Sequence, residues 1–174
     1  LNLNITDNEY FYKKLPDRSY SPGNQHSTYA TTDITFLSND LANYTTKNII
    51  IKDYKNKSIT YTFDSGVQTT TNTVGMQGLT TTNQLASKLK DCINSVSGHG
   101  SSGLNTITVS VVNNIVTLTQ KLSGEIGNKE LTTNLSSDIL TLSNFSGGTT
   151  STKEIHTIKH YHHHEHFETV ETLF

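Results

Sequence analysis

The segment that most constrains this chain is residues 106–121, two alternating runs of apolar and polar side chains separated only by Asn113-Asn114. Alternation with period two marks a strand with one dry face and one wet face. A two-residue connection leaves a hairpin as the solution, and Asn tolerates the positive φ that a type I′ turn demands. Such a loop sets Val111 against Val116, Val109 against Leu118 and Ile107 against Gln120, an apolar face. Thr108, Ser110, Thr117 and Thr119 fall on the opposite face.

A second hairpin is expected around Ile49-Ile50-Ile51 and the alternating Ile59, Tyr61 and Phe63. If residues 53–57 form a five-residue connection, Ile51 faces Ile59 and Ile49 faces Tyr61; a four-residue loop would set Lys52 against Ile59. The first register keeps the apolar side chains on one face and is preferred. Ile34 and Phe36 predict a short strand over 33–37, and Ile139, Leu140 and Leu142 predict a last strand ending at Phe145 and Gly147-Gly148. Residues 66–78 and 123–130 read as turn-rich loops.

Helical periodicity occurs once. Leu85, Leu89, Cys92, Ile93 and Val96 form a single stripe of a 3.6-residue helix, with Lys88, Lys90 and Asp91 on its outer side. Thr81 and Gln84 have capping-box spacing, and Gly98 is placed to end the helix in a left-handed conformation, so the helix is expected over about 82–97. Cys92 on that stripe reads as a small buried hydrophobe.

Only 32% of the residues are hydrophobic and none is Trp, while Thr, Ser and Asn supply 64 of 174, 29 of them Thr. Such a chain suits strands with one wet face better than long helices. The fold class expected is therefore α+β: a mainly antiparallel β-sheet or small β-sandwich with one amphipathic helix, plus extended N- and C-terminal arms. Three zones follow: an N-terminal arm over 1–31 carrying both prolines, a β-rich core domain over 32–148, and a linker and His-rich C-terminal strand over 149–174 that opens with a flexible Thr/Ser run. No repeat of fixed period is present.

Several classes are disfavoured. A net charge of −2 gives no basic field for nucleic acid or acidic lipid. One cysteine allows no internal disulfide and no Cys-only zinc site. No run approaches the ~18 apolar residues of a membrane span, and no basic-then-apolar signal opens the chain. Leu1 in place of Met suggests a processed or incomplete start.

Catalytic constellations are likewise missing from the sequence. There is no Gly-x-Ser-x-Gly elbow, phosphate-binding loop or dinucleotide fingerprint. Gly75 and Gly78 lack the Lys-Ser/Thr pair of a phosphate cradle and read as turn residues. Asp33, Asp40, Asp53, Asp64, Asp91, Glu125, Glu130 and Asp138 are scattered singly, and His99, in a Gly/Ser linker, reads as a solvated loop residue. The expectation is that the protein is not an enzyme.

Six of the eight histidines lie between residues 154 and 168. In an extended strand His156, His160, His162, His164 and His166 share one face, with Tyr161, His163, Glu165 and Phe167 on the other. Neutral imidazoles are ligands for borderline transition metals, so His160, His162, His164 and His166 are the candidate metal ligands, for Fe, Zn or Ni. Interface packing without any cofactor is the reading preferred. The alternation continues through Val170, Thr172 and Phe174, with Thr169, Glu171 and Leu173 opposite. Together with Tyr10, Phe11 and Tyr12 at the other end, Tyr161, His163, Phe167, Val170, Leu173 and Phe174 are expected to form an interface in which arms exchange between copies. Tyr44, Tyr54 and Tyr61 are stacking candidates for a glycan, or ordinary strand aromatics.

The strand at 58–64, the helix and the hairpin, followed by Gly124-Glu125-Ile126-Gly127-Asn128 and Phe145-Ser146-Gly147-Gly148, resemble a module of bacteriophage virion proteins of marine type, with its Gly-x-x-Gly-Asn and Phe-x-Gly-Gly endings. The resemblance covers about residues 32–148. It implies a capsid-decoration, tail or fibre building block located in the virion, with no catalytic residues to carry over. The partners it implies are other copies and other virion proteins. His-x-His spacing is also similar to that of trimeric phage fibre tips that hold iron. The expected function is a virion structural protein; the alternatives are a metal-binding module built on the His ladder and a carbohydrate-binding adhesin.

Overall fold

The structure is a computed structural model and describes residues 26–66 and 72–151. The described chain forms β1 (Tyr29–Phe36), β2 (Asn48–Lys52), β3 (Ser58–Asp64), β4 (Thr73–Gly75), α1 (Thr82–Ile93), β5 (Ile107–Val112), β6 (Ile115–Ser123), β7 (Leu131–Thr133) and β8 (Leu140–Leu142). The strands make two four-stranded sheets, ordered β5-β6-β1-β8 and β4-β3-β2-β7. Every pairing is antiparallel except β3 with β4. The fold is α+β and β-rich. Of the expected terminal arms, residues 1–25 and 152–174 lie outside the described residues, whereas Tyr29–Thr31, expected in the N-terminal arm, belong to β1. No helix among the described residues is long and apolar enough to cross a membrane.

Both hairpins take the register that their apolar patterns require. Ile51 lies opposite Ile59 and Ile49 opposite Tyr61, across a five-residue connection. Val111 lies opposite Val116, Val109 opposite Leu118 and Ile107 opposite Gln120. A slip of one residue would turn each apolar set to solvent, which is why these registers could be read in advance. The turn itself differs: Asn113 has φ 55°, but Asn114 is not in the positive-φ region, so the turn is not type I′. Asn114 is instead held by β1, its Nδ2 donating to the Phe36 carbonyl at 2.6 Å and its own carbonyl accepting from Phe36 N at 3.0 Å.

The first strand opens at Tyr29, earlier than the expected residue 33, and alternates exposed and buried side chains up to Ile34. β4 and β7 are strands where the sequence pattern indicated none. Each has three residues and sits at the edge of a sheet, too short for alternation to register.

Helix α1 carries the complete capping box, with the Thr81 side chain accepting from Gln84 N and the Gln84 side chain accepting from Thr81 N. Leu85, Ala86, Leu89, Cys92 and Ile93 are fully buried, and the helix contacts strands of both sheets. One continuous core results, including the ring cluster Phe36, Tyr44 and Phe63 with centroids 5.5–5.9 Å apart.

The helix stops earlier than expected. Asn94 is its C-cap, and Val96 is 74% exposed instead of completing the buried stripe. Nor does Gly98 adopt a left-handed conformation. Its role is close approach, since a Cβ there would collide with the Ile93 carbonyl. The chain turns back over the helix end, and Gly100 N donates to that same carbonyl at 2.7 Å.

Candidate functional site

Gln120 is a polar residue on the inward face of β6, and it is completely buried. A buried amide must find partners. Its Oε1 accepts from Tyr54 N at 3.0 Å and its Nε2 donates to the Lys52 carbonyl at 3.1 Å, tying one sheet to the β2–β3 connection of the other.

The same connection carries a cluster that the sequence did not reveal. Asp53, Tyr61 and His99 are each 0% exposed, so His99 is not a solvated loop residue and Asp53 is not an isolated carboxylate. The Lys57 carbonyl, which can only accept, lies 3.2 Å from His99 Nε2 and places the ring proton there. Nδ1 is then free to accept from the Tyr61 hydroxyl at 3.0 Å, while the Tyr61 oxygen accepts from His99 N at 3.1 Å. Asp53 Oδ1 accepts from Lys55 N at 2.9 Å and Lys57 N at 2.8 Å, closing the turn. Its Oδ2 has no partner among the described residues and stands 4.0 Å from His99 Nε2.

Burial is the largest influence on His99 and pushes its pKa below the ordinary value; the hydrogen bond to the Lys57 carbonyl and then the Asp53 charge pull the other way and are outweighed. The imidazole is therefore neutral at pH 7, and the Asp53–His99 approach is not an ion pair. Burial also raises the Tyr61 pKa. Chemically the trio resembles a base with its orienting partners. However, a nearby surface depression of about 430 Å³, lined by residues including Lys57, Ser58, Asn72 and Leu104, reaches none of the three side chains. The arrangement fastens the 98–105 linker to the β2–β3 connection. A lone His among glycines and serines gives no sequence signal for this; only Gln120, polar at an inward position, hinted at buried polar ties.

The second convergence lies where the described chain begins and ends. Thr28 N donates to the Thr149 carbonyl at 3.0 Å, Thr31 and Ser146 exchange backbone bonds at 2.9 and 3.0 Å, and Ser151 N donates to Ser27 Oγ at 3.1 Å. Thr149, read from the sequence as the start of a flexible run, is thus paired with Thr28. Gly124 N donates to the Thr28 carbonyl at 2.8 Å, so residues 124–128 join the same junction. The Asn128 amide and Gly148 bond reciprocally, Nδ2 to the Gly148 carbonyl at 3.0 Å and Gly148 N to Oδ1 at 2.9 Å. A Cβ at Gly148 would strike the Gly124 carbonyl, and Phe145 is buried beside them at 2% exposure. The two glycine motifs, 17 residues apart between Asn128 and Phe145, form one clasp. Tyr29, Leu122 and Ile126 leave large apolar side chains exposed in this stretch of the chain.

The remaining expected site residues divide in two. His160, His162, His164 and His166, and the interface residues Tyr10, Phe11, Tyr12, Tyr161, His163, Phe167, Val170, Leu173 and Phe174, lie outside the described residues. Tyr44 and Tyr61 are fully buried and cannot stack on a glycan, because their rings belong to the core. Tyr54 is half-buried, with Lys55 Nζ 5.7 Å from its ring centre. Among the described residues no three His, Cys, Asp or Glu side chains converge as metal ligands. No protein-family model, curated protein or solved structure matches the chain.

Proposed function

We propose that this chain is a non-enzymatic structural protein of a virion, a capsid-decoration, tail or fibre component, that assembles with its own copies and with companion proteins through its terminal segments. The observation that carries this reading is the Thr28–Thr149 bridge. It brings Thr28 and Thr149, near the first and last described residues, together at one locus of the folded domain. Exposed Tyr29, Leu122 and Ile126 lie in the strands and loop that build that locus. The sealed state of Asp53, Tyr61 and His99 supports a structural role for the titratable groups.

Deleting residues 154–174 tests the reading by sedimentation velocity and circular dichroism. A folded domain that no longer assembles is expected; an oligomer surviving the deletion intact overturns it. The alternate spacing of His160, His162, His164 and His166 favours a second reading, a transition-metal site shared between copies. Stoichiometric metal in elemental analysis of the purified chain would distinguish it.

A further inference from the structure

Four strands edge the two sheets, and three of them, β4, β7 and β8, have only three residues each. The fourth, β5, has six and reads Ile-Thr-Val-Ser-Val-Val. Proteins usually blunt an exposed edge with Lys, Pro, a bulge or brevity, and β5 has none of these. Its register with β6 is unbroken from Ile107 to Val112.

The direction of its free backbone groups follows from the hairpin. Residues 112 and 115 flank the two-residue loop, and hydrogen-bonded pairs then recur at every second position. Lys121 N donating to the Thr106 carbonyl at 2.9 Å obeys that rule. The odd-numbered residues therefore turn their N–H and C=O away from β6. Ile107 N confirms this by donating to the His99 carbonyl at 3.1 Å. Val109 and Val111 present the same groups, and no backbone partner reaches them among the described residues. The core is also incomplete there: Val116 and Leu118 on β6 are fully buried, but Val109 and Val111 opposite them are only half-buried.

We propose that the β5 edge receives residues 169–174 of a second copy, added as an antiparallel strand. This rests on the assembly reading above and names where one segment docks. The segment matches β5 in length and alternates Val170, Thr172 and Phe174 with Thr169, Glu171 and Leu173. Its apolar side continues the sheet face beyond Val109 and Val111, and Glu171 points outward with uncharged Thr108 and Ser110. Residues 152–174 can span up to about 75 Å when extended, ample for reaching a neighbour. Within one copy an antiparallel entry needs a detour. The described chain ends at Ser151, near the end of β6 where β5 begins, so a tail following its own β5 directly would be parallel to it, and an antiparallel one would first have to pass the length of β5. A tail from a second copy enters from the Val112 end and keeps the antiparallel pattern.

The test uses the whole chain in sedimentation velocity. Val111→Pro removes an outward N–H and leaves the β6 ladder intact. Val170→Pro with Glu171→Pro disables the tail in either register. Each variant alone is expected to lose assembly, and an equimolar mixture is expected to recover one-to-one heterodimers, because one partner keeps an intact edge and the other an intact tail. Ser110→Glu with Val112→Glu, which changes only exposed side chains and sets like charge against Glu171, repeats the edge test should the proline variant fail to fold by circular dichroism. Assembly of a folded edge variant at the wild-type level overturns the proposal. So does failure of the mixture to associate, and so does assembly of the tail variant alone, which would point to direct β5–β5 pairing. A wild-type chain that never self-associates would remove the assembly reading as well; an assembled wild type with an assembled edge variant removes only this inference.

Discussion

The Tyr61 hydroxyl and His99 Nδ1 lie 3.0 Å apart with both side chains closed to solvent, and the same hydroxyl oxygen accepts from the His99 backbone N–H. One oxygen thus satisfies two polar groups of the 98–105 linker. Removing it by Tyr61→Phe leaves a buried donor and a buried acceptor unpaired and should cost about 2 kcal/mol in urea unfolding. His99→Ala leaves the Tyr61 hydroxyl proton without its acceptor and opens a cavity, while the Lys57 carbonyl keeps Asp53 N at 3.0 Å, and a loss of about 3 kcal/mol is expected. A loss below about 0.5 kcal/mol for both variants would contradict the fastening role.

The same residue sets a pH dependence. His99 has a folded pKa below the ordinary 6.5, so between those two values the unfolded chain binds the extra proton. Stability from this group is complete above pH 6.5 and declines as pH falls through the window toward the folded value. Below the folded value it is lost, and there is no further slope. Comparing wild type with His99→Gln from pH 7.5 to pH 5 isolates the effect from the other histidines. The stability difference between the two proteins should narrow toward acid; a difference constant with pH would refute it.

Two adjacent glycines in the clasp should respond differently to substitution. Gly148→Ala drives a Cβ into the Gly124 carbonyl, and a loss of about 2 kcal/mol is expected. Gly147 has open space around it and a φ of 81°, so its cost is conformational alone. Gly147→Ala should lose about 1 kcal/mol, while Gly147→Asn should come close to wild type. Thermal unfolding of the three variants measures the order.

Val96 and Leu89 occupy the same apolar stripe in the sequence but opposite environments in the fold, 74% and 0% exposed. Val96→Lys should shift stability by less than about 0.5 kcal/mol. Leu89→Ala should cost about 3 kcal/mol. Equal effects in denaturant titration would place the helix end wrongly.

Sequence alone determined what depends on near neighbours and on period. Two hairpin registers, the capped start of α1 and the burial of Cys92 were all legible, because each follows from alternation, a 3.6-residue stripe or a three-residue spacing. Only the tertiary structure decided the rest. The helix stops at Ile93 because the chain folds back onto its last carbonyls, and a remote segment leaves no mark on the local pattern. His99 and Asp53, 46 positions apart, meet because the linker crosses the β2–β3 connection. Gly-x-x-Gly-Asn and Phe-x-Gly-Gly could be seen as motifs, but that they grip one another around the Thr28–Thr149 bridge could not. Periodicity encodes which face of an element is dry; it carries no information about which distant element dries it.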